Sequence, residues 1–190
     1  MSTAGILLAS GASRRFGAAD KLLARFEGRP LVVHAGAALA QAVDGPLIAV
    51  AARPEVAAAL PGFAHVRPGP PTPEQSDSLA AGIAQARALG AERAVVVLGD
   101  MPRVTPELIR AVMALCSRGQ AAAATDGTRP MPPACFPAAL FDRLEALNGD
   151  RGAAPLLRAL PERQLVAAPA GTLVDIDTEA DLAALGAGPG

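Results

Sequence analysis

The segment Gly11-Ala12-Ser13-Arg14-Arg15-Phe16-Gly17, closed by Asp20-Lys21-Leu22-Leu23, concentrates small residues and positive charge in one short stretch. Gly11 and Gly17 let the backbone come close to an anion, and backbone N–H groups of such a turn can face it. Arg14, Arg15 and Lys21 add charge-assisted donors within one reach. This is the chemistry of a polyphosphate cradle, and a nucleoside triphosphate is the ligand it predicts. Better-known loops do not account for it. A P-loop needs G-x-x-x-x-G-K-[ST], whereas five residues separate Gly11 from Gly17 and Ala18 follows; the dinucleotide fingerprint fails at Ser13. A serine-hydrolase elbow fails at Arg15.

Three more segments carry polar groups at informative spacings. Val95-Val96-Val97-Leu98-Gly99-Asp100-Met101-Pro102 reads as a strand buried on both faces that ends on a carboxylate. Asp100 is either a turn acceptor or an oxygen ligand for Mg²⁺, which takes one or two carboxylates plus substrate phosphates. Asp175-Ile176-Asp177-Thr178-Glu179-Ala180-Asp181-Leu182 has N-cap and N3 spacing at Thr178 and Asp181, which makes those two structural. Asp177 lies just outside that helix, as a second metal carboxylate or a local turn acceptor. Glu74-Gln75-Ser76-Asp77-Ser78-Leu79-Ala80-Ala81-Gly82 opens a helix that Ser76 or Asp77 can cap.

Taken in order, Leu8-Ala9-Ser10-Gly11-x-Ser13-x-Arg15-Phe16-Gly17 with Lys21 resembles the signature L-x-G-x-S-x-R-[MF]-G-x-x-K of the MobA-like nucleotidyltransferases. That family contains the molybdenum cofactor guanylyl- and cytidylyltransferases, within the nucleotide-diphospho-sugar transferase superfamily. The resemblance implies Mg²⁺ as cofactor and Arg15, Lys21 and Asp100 as catalytic residues, with Asp100 and Asp177 on the metal. It implies nucleotide contacts from Leu8, Ala9, Ser10, Gly11, Ser13, Arg14 and Gly17. Related cytidylyltransferases carry Ser-x-Ser-Leu-x-x-Gly at the nucleobase, which maps onto Ser76, Ser78 and Gly82. Pro132-Pro133-Ala134-Cys135-Phe136 and Gly149-Asp150-Arg151-Gly152-Ala153 resemble the acceptor-side segments, so Asp150, Arg151 and Gly152 are acceptor-binding residues by the same resemblance; Asp150 could equally cap the following helix.

The nucleotide follows from one departure. Guanylyl members tend to read L-A-G-G before the serine and cytidylyl members L-A-A-G, while this chain has Leu8-Ala9-Ser10-Gly11. Ser10 is nearer to Ala in size, and the Ser76–Ser78 element and Gly149-Asp150-x-Gly152 resemble the cytidylyl branch. The resemblance therefore implies CTP over GTP, with molybdopterin as the phosphorylated acceptor; sugar phosphates remain open, as does a non-catalytic nucleotide-binding accessory role.

These groups need a rigid scaffold, and the rest of the chain supplies the pattern of one. Strand-like runs at Ile6–Ala9, Leu47–Ala51, Ala64–Arg67, Ala94–Leu98, Ala121–Thr125, Ala134–Phe136 and Gln164–Ala168 alternate with helical periodicity at Pro30–Val43, Ser76–Leu89, Pro106–Arg118, Pro137–Leu147 and Ala153–Leu160. The rhythm predicts a Rossmann-like three-layer α/β/α sandwich with a mostly parallel sheet and a ligand crevice at the strand carboxyl ends. A chain of 190 residues suits a single domain over residues 1–190, able to bury about 70% of its unfolded surface. Pro68-Gly69-Pro70-Pro71-Thr72-Pro73 reads as a stiff loop beside the site.

Composition excludes several partners. With 17 basic and 18 acidic residues, a net charge of −1 and no block of like charge, neither nucleic acid nor an anionic membrane is indicated. There is no Trp or Tyr for base stacking. The amino terminus has no basic region before its short apolar segment, which predicts a cytoplasmic protein. Cys116 and Cys135 have no ligand-spaced neighbours and read as buried free thiols; His34 and His65 stand alone.

Overall fold

The computed structural model describes residues 1–10, 20–69 and 73–186. Seven strands form one sheet: β1 (Thr3–Leu8), β4 (Leu47–Val50), β5 (Ala64–Val66), β6 (Arg93–Leu98), β7 (Ala122–Thr125), β8 (Pro130–Pro137) and β9 (Leu165–Ala167). β2 (Arg25–Phe26) and β3 (Arg29–Pro30) make a separate small hairpin. The sheet order is β5-β4-β1-β6-β8-β7-β9. From β1 the chain first builds outward through β4 and β5, then returns to place β6 on the other side of β1. The carboxyl ends of β1 and β6 therefore flank the point where strand order reverses, which is where open α/β sheets leave a crevice.

The sheet is mostly parallel, with one exception. β8 runs antiparallel to both β6 and β7, while β9 is again parallel to β7. The sequence signal at β8 was confined to Ala134–Phe136, but the strand begins at Pro130 and continues to Pro137, with a register shift between Ala123 and Ala124 of its partner. Prolines are poor sequence evidence for a strand flanked on both sides. Because β8 is antiparallel, its amino end and the β7–β8 turn lie on the same rim as the carboxyl end of β6.

Two apolar layers pack the sheet. On one face α1 (Leu31–Ala42) and α4 (Pro106–Leu115) cover Leu7, Ala49, Val95 and Val97. On the other, α3 (Gln75–Ala88), α5 (Phe141–Glu145) and α6 (Ala154–Arg158) cover Ile6, Ile48, Val50, Val96 and Phe136. Central strands buried on both sides explain the near-continuous apolar runs Ile6-Leu7 and Val95-Val96-Val97. Helix α2 (Pro54–Ala58) was not anticipated: it is one short turn with Pro at its start, too brief for periodicity.

Several helices are shorter than their sequence patterns: Pro30–Val43 becomes α1 and Ala153–Leu160 becomes α6. Pro106–Arg118 stops at Leu115, where Cys116 turns extended, and Pro137–Leu147 resolves into a 3₁₀ turn at Ala138–Leu140 followed by α5. Cys116 and Cys135 are free, buried and in the same apolar layer, as expected. Hydrogen bonding to Cys116, with burial, pushes the Cys135 thiol up, which keeps it protonated and unreactive. Among the described residues, no helix is long and apolar enough to cross a membrane.

Candidate functional site

Lys21 opens a 3₁₀ turn, Lys21–Leu23, fixed by its own neighbours. The Asp20 carboxylate accepts from the Leu22 amide at 2.9 Å, Leu22 is buried, and Arg53 reaches Asp20 at 3.5 Å. The turn aims the Lys21 ammonium at the rim between β1 and β6. There Nζ donates to Asp100 Oδ2 at 2.8 Å and to Asp177 Oδ1 at 2.9 Å. Asp100 follows β6 through Gly99, whose amide donates to the Leu8 carbonyl at 2.9 Å, so the two strand ends are tied together at the crevice.

Asp177 reaches this rim from the far end of the chain. After β9 the backbone crosses back, and the Ile176 amide donates to the Asp100 carbonyl at 3.1 Å. The Ile176 side chain is fully buried with Phe26, Leu31 and Leu185, which clamps the segment onto the β2–β3 hairpin. Helix α7 (Glu179–Gly186) then begins with the predicted reciprocal cap: Asp181 N donates to Thr178 Oγ1 at 3.1 Å and Thr178 N to Asp181 Oδ2 at 2.7 Å. Hydrogen bonds to its carboxylate, from the Thr178 side chain first and then from the Thr178 and Asp177 amides, hold the Asp181 carboxyl below its usual range.

The electrostatics centre on Lys21. Burial pulls its pKa down, but the Asp100 and Asp177 carboxylates outweigh this and raise it above the ordinary lysine value. Burial also pushes the Asp100 carboxyl up, against the pull of Lys21. The 2.8 Å contact favours the ionised pair, since a proton on Oδ2 would displace a charge-assisted bond. Among the described residues, one ammonium thus bridges two carboxylates at the rim.

Carboxylate oxygens are the type of donor a hard divalent cation takes. Mg²⁺ uses one or two carboxylates and fills its remaining positions with water and substrate phosphate oxygens, and Asp177 is half exposed. Among the described residues no cluster of three or more His, Cys, Asp or Glu could form an all-protein cage.

Two adjoining cavities open on this rim. The first, about 320 Å³, is lined by Ser10, Lys21, Glu74, Ser78, Asp100 and Asp150 among others. The second, about 200 Å³, has apolar walls from β6, β8 and α6 and a rim that includes Arg151 and Asp175. Leu8, Gln75 and Leu98 line both. The Ser10 and Ser78 hydroxyls hydrogen-bond each other across the first cavity, joining the β1 loop to α3.

The predicted residues do not all converge. Leu8, Ser10, Lys21, Ser78, Asp100 and Asp150 line the first cavity, Arg151 and Gly152 the second, and Ala9 is buried beneath them. Gly11, Ser13, Arg14, Arg15 and Gly17 lie outside the described residues, as do 70–72 of the proline-rich loop, whose Pro73 lines the first cavity. Ser76 and Gly82 line neither cavity. Ser76 is 1% exposed, and its hydroxyl has no partner among the described residues. Gly82 faces the sheet, where a Cβ would stand 2.7 Å from Ile6 Cγ2; it is a packing glycine.

Two caps also differ from expectation. Helix α3 is capped by neither Ser76 nor Asp77 alone. Glu74 is the N-cap in a capping box with Asp77, and its carboxylate also accepts from the Gly149 amide at 2.9 Å. Asp150 is not the cap of α6, whose N-cap is Ala153 without a side-chain bond; the Asp150 carboxylate is left to the cavity. Sequence reading missed Asp175, Gln75 and Glu74 as wall residues. The acidic density of 175–177 was a usable signal for the first of these.

A doubly wound sheet whose switch-point crevice presents a lysine between two carboxylates beside a nucleotide-sized cavity is the framework of a nucleotidyltransferase. The chain belongs to the MobA-like NTP transferase domain family, whose model matches residues 5–165. It is 32% identical to a probable molybdenum cofactor guanylyltransferase of Mycobacterium avium over 97% of this chain and 95% of that protein. A protein of the same description from Thermococcus kodakarensis is 40% identical over 55% of this chain, spanning 49% of that protein. The purine catabolism protein PucB of Bacillus subtilis is 32% identical over 55% of this chain, so the match spans about half of that relative (52%). Among solved structures, Rv0371c of Mycobacterium tuberculosis superposes with a TM-score of 0.82 at 25% identity over 100% of both chains. A nucleotidyl transferase from Methanothermobacter, at 23% identity and TM-score 0.83 over 97% of this chain and 95% of that one, shares the fold. Asp177 lies beyond the matched family region.

Proposed function

We propose that the chain is a Mg²⁺-dependent cytidylyltransferase that joins CMP from CTP to a phosphorylated acceptor, molybdopterin, and releases pyrophosphate. The observation that carries this reading is the Lys21 ammonium held 2.8 Å from Asp100 and 2.9 Å from Asp177 at the mouth of two adjoining cavities. One cavity takes the nucleotide and the other the acceptor, with their shared wall at Leu8, Gln75 and Leu98 marking where the reacting groups meet.

Transfer of this kind needs positioning and charge stabilisation more than proton chemistry. An acceptor phosphate oxygen, anionic near neutral pH, attacks the α-phosphorus; the bond to the bridging oxygen breaks and pyrophosphate leaves with that electron pair. Lys21 donates to the departing phosphate oxygens, and Arg15, by its place in the motif, does the same. Asp100 and Asp177 orient Lys21 and would hold the metal. When bound, Mg²⁺ supplies positive charge to the polyphosphate. A manganese complex of the M. tuberculosis protein Rv0371c, 26% identical with a TM-score of 0.72, supports divalent-ion binding in this fold.

Ser10 supports CTP. Its side chain lines the nucleotide cavity and is tied to Ser78, which removes room that a two-ring base would use. A guanylyltransferase is the second reading, favoured by the description of the M. avium relative. Incubation with Mg²⁺, each of the four nucleoside triphosphates and molybdopterin, followed by pyrophosphate release and product mass, separates them. CMP–acceptor formation supports the proposal, GMP–acceptor formation the second reading, and nucleotide binding without product an accessory protein.

A further inference from the structure

We propose that Glu74 is a positioning residue for the acceptor: it latches the loop between α5 and α6 onto the start of α3 and so fixes Arg151 at the second cavity. The inference rests on the transfer reading above, in which that cavity takes the phosphorylated acceptor.

An α-helix begins with backbone N–H groups that have no partner inside the helix. In α3 one of these, the Ser76 amide, donates to the Gly149 carbonyl at 3.3 Å, and the Gly149 amide donates back to Glu74 Oε2 at 2.9 Å. Both backbone groups of Gly149 are thus committed to one helix start, 75 positions from Glu74 in the chain. Gly149 does this at a φ of +89°, which few other residues adopt. Three residues on, the buried Gly152 lies against Gln75, where a Cβ would stand 3.1 Å from Gln75 Cγ. Among the described residues, no other hydrogen bond ties 148–153 to a distant part of the chain. Asp150 and Arg151 lie between these two fixed points, Asp150 lining the first cavity and Arg151 the second. The backbone that carries the Arg151 guanidinium is therefore set by α3 as much as by α6, whose Ala154 amide bonds the Arg151 carbonyl at 3.0 Å.

The residue type at position 74 points the same way. N-cap positions favour Ser, Thr, Asp and Asn, whose short side chains reach the first-turn amides. Helix α3 has Glu there, in a capping box with Asp77, whose Oδ2 accepts from the Glu74 amide at 2.8 Å. Capping alone asks for the shorter carboxylate. The additional methylene of Glu74 carries Oε2 across to Gly149, so the loop accounts for a cap residue that the helix by itself does not favour.

Two variants separate capping from latching. Glu74→Asp keeps a charged N-cap but is one methylene too short for Gly149, whereas Asp77→Ala removes the reciprocal capping bond and leaves the Glu74–Gly149 bond in place. Three quantities are measured on each: the melting temperature, amide hydrogen exchange of residues 148–153 without ligands, and kcat and KM with Mg²⁺, CTP and molybdopterin. We expect Glu74→Asp to melt close to wild type while its loop amides exchange about tenfold faster. Its KM for molybdopterin should rise about tenfold with kcat held within about twofold, the order of one hydrogen bond to a charged group. Asp77→Ala should melt lower, yet keep loop exchange and the KM for molybdopterin within about twofold of wild type. Unchanged exchange in Glu74→Asp, faster exchange with no change in that KM, or an equal rise of that KM in Asp77→Ala overturns the proposal. The exchange measurement needs no turnover, so the two failures differ: absence of product from wild type overturns the transfer reading and with it the acceptor role, whereas unchanged exchange overturns the latch alone.

Discussion

Lys21 Nζ and Asp177 Oδ1 stand 2.9 Å apart although 156 positions separate them in the chain. The contact links the turn after the first strand to the segment that precedes the last helix. Lys21 is also only 7% exposed, although it closes a segment rich in small and charged residues. Replacing it with Met should lower the transfer rate by ~10²-fold or more through lost stabilisation of pyrophosphate. It should also lower the melting temperature, because two carboxylates are left facing each other in a partly buried site. Calorimetric melting together with single-turnover kinetics checks both; a normal rate would remove Lys21 from the mechanism.

Asp100 and Asp177 differ in surroundings. Asp100 is largely buried and tied to Lys21, whereas the Asp177 side chain is 51% exposed and solvent can substitute for it. Asp100→Asn should need far more Mg²⁺ and lose most activity, with Asp177→Asn milder. Activity titrated against Mg²⁺ for each variant decides this, and an unchanged Mg²⁺ dependence in Asp100→Asn would exclude it as a ligand.

The Ser10–Ser78 hydrogen bond offers a handle on base choice. Wild type should show kcat/KM for CTP above that for GTP, and Ser10→Gly should narrow the gap by about 1–3 kcal/mol, the worth of one misplaced group in a pocket. Steady-state kinetics with both nucleotides measures it; a wild-type preference for GTP would sink the assignment.

Gly82 should affect stability rather than catalysis. A Cβ there meets Ile6 Cγ2 at 2.7 Å, and Ile6 is a fully buried, β-branched residue of the central strand with nowhere to move. Gly82→Ala should cost about 1–3 kcal/mol by urea unfolding while leaving KM for CTP unchanged.

Asp126 holds the turn that presents Arg129. Its carboxylate accepts from Thr128 N, Thr128 Oγ1 and Arg129 N at 2.8, 2.7 and 2.9 Å, and bonds led by that from the Thr128 hydroxyl lower its pKa from 3.8 to about 2. A depressed folded-state value stabilises above the unfolded one, so the contribution is full well above pH 3.8 and is lost as the pH falls toward about 2. The stability difference between wild type and Asp126→Ala, from urea unfolding at several pH values, should therefore narrow below pH 3.8 and be constant near neutrality.

Elements with strong local signals were legible in the sequence: the buried run ending at Asp100, the Thr178–Asp181 cap, and the parallel rhythm of β1, β4 and β6. Features set by distant partners were not. Glu27 and Gly28 turn the β2–β3 hairpin at positive φ, but strands of two residues leave no alternation to read. Gly82 fits a nucleobase motif and a close helix–sheet contact equally well until its neighbour Ile6 is known.

The late arrival of Asp177 has a consequence for how the protein comes into being. Every strand of the sheet, through Ala167, is synthesised before it, and domains tend to fold from their amino-terminal portions as the chain emerges. A nascent chain can therefore pack its whole sheet before the Asp177 carboxylate is there to accept from Lys21. The last contact that orients Lys21 would therefore form only after synthesis has passed residue 177, so full activity would arrive late in translation.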